Sequence, residues 1–470
     1  MRLCMIGGGG FRAPQMFKAL AADPDGLITE LVLYDTEPAH VAVIETVISQ
    51  LRPSLDDDDA QAGSTGSPSG GGPSVTVASD LVEAVTGADF VFSTMRVGGA
   101  ESRALDEEIA LEHGVLGQET VGVGGLAYTL RTIPEARRLA ETIKEHAPNA
   151  WTINFTNPVG VITQAMRETL GDRVIGICDT PVGLINRIAD LTGATVTRFD
   201  YAGINHLGWL RGVWGHHEGD PTGHESDLLA QVLDNDELLG QLDEANFLGF
   251  DIVRSIRSLP NEYLYYYLHT REAVERISGR TSRGRQIADS QARFYEAATA
   301  EPERALELWE AALTEREETY GAETREDPAT RRTSHEIGLG GYQEVALKLM
   351  RTLAGADAPT RMVLNIQNTP GTGRLIRQLS RRSVVEVSCA VGLNYVTAYA
   401  VERFHSEFAG LMVQVRACDE LLLRATQHKD PVAALRAFAI HPLVDSLEVA
   451  RSLFETYCER IPGVAEAIGA

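Results

Sequence analysis

A thiol and a carboxylate stand side by side where a short apolar run of the sequence ends. Residues 174–177 predict a buried strand, and Cys178 and Asp179 follow directly. His206 closes another strand-like run, 201–204. A thiolate and an imidazole can share a divalent ion whose open positions take substrate oxygens, as in a catalytic metal site. Free cysteines are also common, inert core residues. The spacing of these residues alone is therefore compatible with a metal site and with a purely structural role for Cys178.

The segment LPNEYLYYYLHT, residues 259–270, offers a candidate proton acceptor. Its last three tyrosines, Tyr265, Tyr266 and Tyr267, predict an aromatic helix face. Tyrosine has an ordinary pKa of about 10, so Tyr263 could act as a base only beside a cation that lowers this value. A bound metal ion would do so.

The charge balance excludes one class of partner and restricts another. The chain has 42 Lys and Arg against 66 Asp and Glu, a net charge of −24. Generic nucleic-acid binding is therefore opposed electrostatically. A small anionic ligand would need local arginines with fork-shaped donors, and Arg96, Arg103 and Arg283 are the candidates. For any one arginine the default interpretation is an exposed surface residue.

A glycine-rich loop near the N-terminus predicts a dinucleotide site. The loop consists of Gly7, Gly8, Gly9, Gly10, Phe11 and Arg12. It lies between a strand-like run and a helical segment, and a second strand-like run ends at Asp35, a position suited to ribose hydroxyls. Gly7 and Gly9 match the first two fingerprint positions, but Arg12 stands where the third glycine is expected. The order of elements favours NAD over a purely structural turn.

The pattern of elements predicts an α/β fold with two domains. Short apolar runs before polar turns predict a Rossmann-like dinucleotide-binding domain over 1–200 with a parallel sheet. Longer helical stretches predict a helix-rich α+β domain over 201–470 for substrate binding, catalysis and oligomerisation. The acidic and Gly/Ser/Pro-rich stretch 56–74 predicts a flexible surface insertion.

The chain has features of a cytoplasmic protein. It contains no apolar run of the roughly 18 to 20 residues that span a bilayer, and its N-terminus lacks a signal-peptide pattern. Its five cysteines are widely spaced and form no CxxC pair, so we expect reduced thiols. We expect no membrane partner.

Six motifs in order carry a family resemblance over nearly the whole chain. They are GGGG (7–10), RVGGAESRALDEEIALEHGVLGQETVGVGGLAYTLRTIP (96–134), INFTNPVGVITQAM (153–166), ICDTPVGL (177–184), GINHLGW (203–209) and LPNEYLYYY (259–267). Together they resemble glycoside hydrolase family 4. The segment NIQNTPG…VVEVSC and the helical tail look most like its 6-phospho-β-glucosidase branch.

The resemblance implies cofactors and residue roles. It implies NAD and a divalent metal ion, usually Mn²⁺, with Cys178 and His206 as metal ligands. Asp179 would protonate the departing glycosidic oxygen, and Tyr263 would remove the C2 proton. The further substrate-binding positions implied are Arg103, Glu119, Asn157 and Arg283. It also implies a homodimer or homotetramer.

The implied reaction is hydrolysis of 6-phospho-glucosides by oxidation at C3, deprotonation at C2, 1,2-elimination, water addition and re-reduction, outside the two-carboxylate glycosidase mechanism. Alternatives are the same mechanism on a non-phosphorylated, uronic or α-linked glycoside, a lactate/malate-type NAD-dependent dehydrogenase, and a non-catalytic NAD or sugar sensor.

Two departures from the family pattern bear on these choices. Phe11-Arg12-Ala13 replaces the usual hydroxyl residues, and Asp179 is familiar from α-specific members, whereas β-specific members often have asparagine.

Overall fold

The structure of the chain, a computed structural model, describes residues 1–61, 72–217, 219, 224–318, 341–369, 373–404 and 406–470, without the side chains of 53–61 and 317. Its strands are β1 (Arg2–Ile6), β2 (Glu30–Tyr34), β3 (Ser74–Val77), β4 (Phe90–Ser93), β5 (Trp151–Asn154), β6 (Val174–Gly176), β7 (Ala194–Ile204), β8 (Leu207–His217), β9 (Ser226–Asp227), β10 (Leu259–Pro260), β11 (Thr360–Gln367), β12 (Val384–Gly392) and β13 (Tyr395–Ala398).

The helices form two sets, one in each half of the chain. Those before β8 are α1 (Ala13–Ala21), α2 (Pro38–Gln61), α3 (Leu81–Val85), α4 (Gly99–Glu112), α5 (Val123–His146), α6 (Val159–Leu170) and α7 (Thr180–Thr192). Those after β8 are α8 (Leu228–Leu233), α9 (Asp236–Leu239), α10 (Asp243–Leu248), α11 (Phe250–Ile256), α12 (Leu264–Leu268), α13 (Thr270–Ile277), α14 (Arg283–Ala300), α15 (Ala305–Glu318), α16 (Tyr342–Ala354), α17 (Ser406–His428), α18 (Pro431–Ile440), α19 (Leu447–Arg460) and α20 (Pro462–Ile468).

One mixed sheet runs through both halves of the sequence. Six parallel strands lie in the order β3-β2-β1-β4-β5-β6, which is the Rossmann order. The sheet continues past β6 through the antiparallel strands β11, β12, β7 and β8. The predicted α/β class with a Rossmann-like first part and a helix-rich second part is confirmed.

The hydrophobic core covers both faces of this sheet because strand side chains alternate. Along β1, Leu3 and Met5 belong to one cluster, with residues of α1, α2, α14, α15 and α16. Cys4 and Ile6 belong to a second cluster, with residues of α3, α5, α6 and the four C-terminal helices. The C-terminal half therefore supplies helices to both faces.

Two boundaries differ from the sequence pattern. Residues 56–61 of the predicted insertion are the end of helix α2, because a helix that has been nucleated adds one hydrogen bond per residue as it extends. Residues 62–71 of the same insertion lie outside the described residues, and Ser74 begins β3. The domain division at residue 200 stays a prediction, and β7 crosses that position.

In the described ranges, no helix is both long and apolar enough to cross a membrane.

Candidate active site

One cavity of about 1370 Å³ gathers nearly all of the predicted site residues. The carboxyl ends of β1, β2, β4, β5 and β6 lead into it, as expected for ligand sites of parallel sheets. The predicted residues that line it are Gly7, Gly9, Gly10, Phe11, Arg12, Asp35, Arg103, Glu119, Asn157, Cys178, Asp179, His206, Tyr263 and Arg283. Gly8 does not line it. A Cβ on Gly8 would come within 2.8 Å of the Tyr34 backbone nitrogen, so Gly8 serves the packing of the loop on β2.

The glycine loop turns sharply at the end of β1. The backbone N–H groups of Gly7 and Gly8 donate to the Tyr34 carbonyl at 3.0 and 2.9 Å. Gly7 has φ +88°, and a Cβ there would lie 2.8 Å from the Thr94 carbonyl oxygen. Both the conformation and the close approach therefore require glycine at position 7.

Asp35 sits beneath the loop at the end of β2. Its Oδ2 accepts from the Gly9 N–H at 3.1 Å and its Oδ1 from the Glu37 N–H at 3.2 Å. Burial raises the pKa of Asp35 above its usual value, although these N–H donors oppose the rise. A carboxylate fixed in this way can accept from ribose hydroxyls in the cavity.

Three aromatic side chains from the C-terminal half hold the glycine loop, and the sequence pattern did not reveal them. The Tyr295 hydroxyl donates to the Gly9 carbonyl at 2.7 Å. Trp309 Nε1 donates to the Phe11 carbonyl at 2.8 Å, and the Tyr342 hydroxyl donates to the Arg12 carbonyl at 2.6 Å. Their contacts span about 290 to 330 residues of sequence, so no local signal could have identified them.

Arg12 places a cation at the N-terminus of α1. The residue is the N-cap of that helix and makes no side-chain cap hydrogen bond. Its guanidinium carbon lies 5.7 Å from the Phe155 ring centroid and 5.1 Å from that of Tyr342. These are cation–π distances, and they keep the charge at the cavity wall.

Cys178 and Asp179 follow β6 and open helix α7. Cys178 is 4% exposed and lines the cavity. Burial, together with the nearby carboxyl groups of Glu386 and Asp179, raises the pKa of the Cys178 thiol well above its usual value. Asp179 is the N-cap of α7 and makes no side-chain cap hydrogen bond, so its carboxyl group is not committed to capping.

His206 occupies the turn between β7 and β8 in an unusual backbone conformation. Its φ is +62°, which few non-glycine residues adopt. Its Nδ1 hydrogen bonds Thr120 Oγ1 at 3.0 Å, which leaves Nε2 for a ligand. Burial lowers the pKa of His206 to about 4, so the imidazole is neutral at pH 7, as metal ligation requires.

The donor set suits a catalytic metal ion. Cys178 and His206 supply a soft sulfur and an imidazole nitrogen. Asn157 Oδ1 is buried and has no hydrogen-bond partner within the described part of the chain, so it is a third candidate oxygen ligand. Among the described residues, no group of three or more His, Cys, Asp and Glu side chains is arranged to hold a metal ion.

Tyr263 lies against the predicted ligand His206. The two rings stack with centroids 3.8 Å apart and planes 2° from parallel. The Tyr263 phenol is also close enough to the Arg103 guanidinium for an electrostatic interaction. Arg103 therefore supplies a cation next to Tyr263, as the predicted role of this tyrosine as a base requires.

A cluster of arginines surrounds Glu119 at one end of the cavity. Arg103 Nη1 contacts Glu119 Oε2 at 3.0 Å, and Arg96 forms an ion pair with the other carboxylate oxygen. Burial alone would raise the pKa of Glu119, but Arg103 and Arg96 hold it well below its usual range. Glu119 is therefore a charged member of the cluster.

Arg316 belongs to this cluster and was missed by the sequence pattern. Its side chain, from α15, lines the cavity, and its backbone carbonyl accepts from Arg283 Nη2 at 2.8 Å. Burial lowers the pKa of Arg316 well below its usual value, and repulsion from Arg12, Arg103 and Arg96 adds to the effect. An anion bound among these guanidinium groups would relieve the repulsion. Nothing in the sequence near position 316 distinguishes it from a surface arginine.

The chain is similar to known proteins over most of its length. The family described as Family 4 glycosyl hydrolase matches residues 2–194, and its C-terminal domain matches residues 201–444. The chain is 28% identical over 391 residues to 6-phospho-alpha-glucosidase 1 of Lacticaseibacillus paracasei, covering 80% of this chain and 81% of that protein.

Two solved structures have the same fold. The 6-phospho-beta glucosidase of Thermotoga maritima, solved with NAD and glucose-6-phosphate, has a TM-score of 0.74 and 26% identity, covering 99% of this chain and 98% of that one. A 6-phospho-alpha-glucosidase from gut microorganisms, solved with NAD and Mn²⁺, has a TM-score of 0.75 and 23% identity, with 98% of each chain covered. Since the two family matches cover most of the sequence, the chain belongs to family 4 of the glycosyl hydrolases.

Proposed function

We propose that this protein hydrolyses 6-phospho-glucosides with NAD and a divalent metal ion, Mn²⁺ in the first instance. The observation that carries the proposal is that one cavity is lined by the glycine loop, Cys178, His206, Tyr263 and a cluster of arginines. The relatives support the substrate class, because both α- and β-specific 6-phospho-glucosidases are among them.

Residues that line the cavity would hold both NAD and the metal ion. Gly7, Gly9 and Gly10 would approach the pyrophosphate of NAD at the start of α1, and Asp35 would accept from its ribose hydroxyls. Cys178 and His206 would hold the metal ion, with Asn157 as a further oxygen donor. When bound, NAD would supply hydride transfer at C3, and the metal ion would supply Lewis acidity.

The side chains then divide the proton transfers. Tyr263, beside Arg103, removes the proton from C2. Asp179 protonates the departing glycosidic oxygen, and water then adds across the resulting double bond, with its hydroxyl at C1 and a proton at C2. The sugar is released after the hydride has returned to C3. Arg103, Arg283 and Arg316 bind the 6-phosphate, for which guanidinium forks are well suited. The expected homodimer or homotetramer stays a prediction.

The first test is release of p-nitrophenol from the α and β forms of p-nitrophenyl glucoside 6-phosphate, with and without NAD, Mn²⁺ and a thiol reductant. We expect turnover of one anomer that requires both cofactors, with NAD used catalytically. The matching non-phosphorylated glucosides are the control. Stoichiometric NADH accumulation would instead identify a dehydrogenase, and turnover of the non-phosphorylated compounds would contradict the proposed substrate class.

A further inference from the structure

A fully buried carboxyl group, that of Glu386, contacts the segments next to the predicted metal ligands. Glu386 is on β12 and is 0% exposed. Its Oε1 accepts from Asn365 Nδ2 at 2.8 Å and from Asn205 Nδ2 at 3.2 Å. Burying a carboxyl group costs free energy unless hydrogen bonds compensate. The two asparagines that donate to Glu386 are therefore held in place by these bonds.

The bond from Asn205 reaches the turn that carries His206. Asn205 immediately precedes His206, whose φ of +62° lies in the left-handed region. A non-glycine residue stays in that region only when its surroundings hold it there. Asn205 is bonded to Glu386 on one side, and the His206 ring is bonded to Thr120 on the other. The turn is thus fixed from both ends.

The bond from Asn365 reaches the strand that leads to Cys178. Asn365 on β11 is the cross-strand partner both of Glu386 on β12 and of Gly176 on β6. A Cβ on Gly176 would lie 2.8 Å from the Asn365 Cβ, so this residue packs tightly on the strand end two positions before Cys178. Glu386 is itself near enough to Cys178 for an electrostatic interaction.

A third path leads toward Tyr263. The Tyr201 hydroxyl lies beside Glu386 and accepts from Asn261 Nδ2 at 3.1 Å. Asn261 Oδ1 in turn accepts from the Tyr263 backbone N–H at 3.0 Å. Tyr201 and Asn261 are 0% and 1% exposed, so the path is shielded from water.

We propose that Glu386 is a positioning residue, which joins the segments carrying Cys178, His206 and Tyr263 so that the two metal ligands and the base keep one arrangement. The inference rests on the proposed function, because it assigns a role in metal binding. Groups that orient metal ligands typically change metal affinity by about 10- to 100-fold when they are removed.

The test measures Mn²⁺ affinity of the full-length, reduced, NAD-saturated protein, by the electron paramagnetic resonance signal of unbound Mn²⁺. We expect Glu386→Ala to weaken Mn²⁺ binding by about 10- to 100-fold and to leave NAD affinity unchanged. Glu386→Gln keeps an acceptor oxygen for both asparagines and should restore affinity to within about threefold of the natural protein. Asn205→Ala, which removes one donor, provides a second variant should Glu386→Ala fail to fold.

The matched control is Asn368→Ala. Asn368 is also fully buried, next to β11, but it bonds the backbone at Ile376, Leu379 and Ser380. Its loss should lower stability without changing Mn²⁺ affinity. Unchanged affinity in Glu386→Ala or Asn205→Ala, or equal weakening in Glu386→Gln and Glu386→Ala, would overturn the inference. Failure of the natural protein to bind Mn²⁺ would instead overturn the proposed metal dependence.

Discussion

At the residue scale, access to the cavity and contacts within it distinguish the candidate catalytic groups from chemically identical ones. Four of the five cysteines are buried, and burial raises the thiol pKa of Cys4, Cys389 and Cys418 as well as that of Cys178. Of these, Cys178 lines the 1370 Å³ cavity. Other tyrosines, such as Tyr266, also line the cavity, and Tyr263 is distinguished from them by its stacking on His206 and its proximity to Arg103.

The base assignment predicts the behaviour of Tyr263→Phe. The substitution keeps the ring that stacks on His206 and removes the hydroxyl, so binding of NAD and substrate should persist. We expect kcat to fall by about 10²- to 10⁴-fold and exchange of the C2 proton with solvent to cease. Deuterium incorporation at C2, followed by NMR in D₂O, checks this. Tyr265→Phe is the control, since that hydroxyl accepts from Arg276. Persistent exchange in Tyr263→Phe would exclude Tyr263 as the base.

At the element scale, the glycine loop is held by helices that are distant from it in sequence. Helices α14, α15 and α16 each contribute one aromatic donor to a loop carbonyl. The loop has few side chains of its own with which to hold its shape, because four of its residues are glycine. The helices of the second half therefore hold the shape of the proposed cofactor site in the first half.

This dependence predicts that Tyr295→Phe weakens NAD binding. The phenylalanine ring can keep the stacking on His40, whose centroid is 3.8 Å away, while the bond to the Gly9 carbonyl is lost. A lost hydrogen bond that leaves a buried acceptor unpaired costs about 1 to 3 kcal/mol, and we expect part of this to appear as a several-fold higher NAD dissociation constant, measured by calorimetry. Tyr395→Phe, at an exposed tyrosine of β13, should leave the constant unchanged. Equal affinities for both variants would show that the bond does not shape the loop.

At the scale of the whole molecule, the fold also buries ionisable groups that do not line the 1370 Å³ cavity. His441 is 3% exposed, and its Nδ1 accepts from the Leu443 N–H at 3.2 Å. Burial lowers the pKa of His441 to about 3. Because this value lies below that of the unfolded chain, about 6.5, protons bind preferentially to the unfolded chain between these values. The contribution of His441 to stability is therefore lost progressively as pH falls below about 6.5.

His441→Asn should remove this pH dependence while keeping an acceptor near Nδ1. From pH 7 to pH 5 we expect the variant to gain about 2 kcal/mol in unfolding free energy relative to the natural protein, since each pKa unit corresponds to about 1.36 kcal/mol. Urea unfolding at the two pH values measures the difference, with His428→Asn at an exposed position as the control. A pH-independent difference would contradict a neutral, buried His441.

The sequence by itself determined the fold class and most of the candidate site. The motifs carry their own local geometry: glycines at a strand end, a thiol and carboxylate after an apolar strand, and a histidine between two strands. Tertiary structure decided the rest. The sequence near Arg316 and Tyr295 carries no signal, and Glu386 stands out only as a charged residue within the apolar run of β12. The roles of all three come from contacts between segments about 180 to 300 residues apart. Only folding brings such segments together, and only burial then sets the charges and hydrogen bonds on which their chemistry depends.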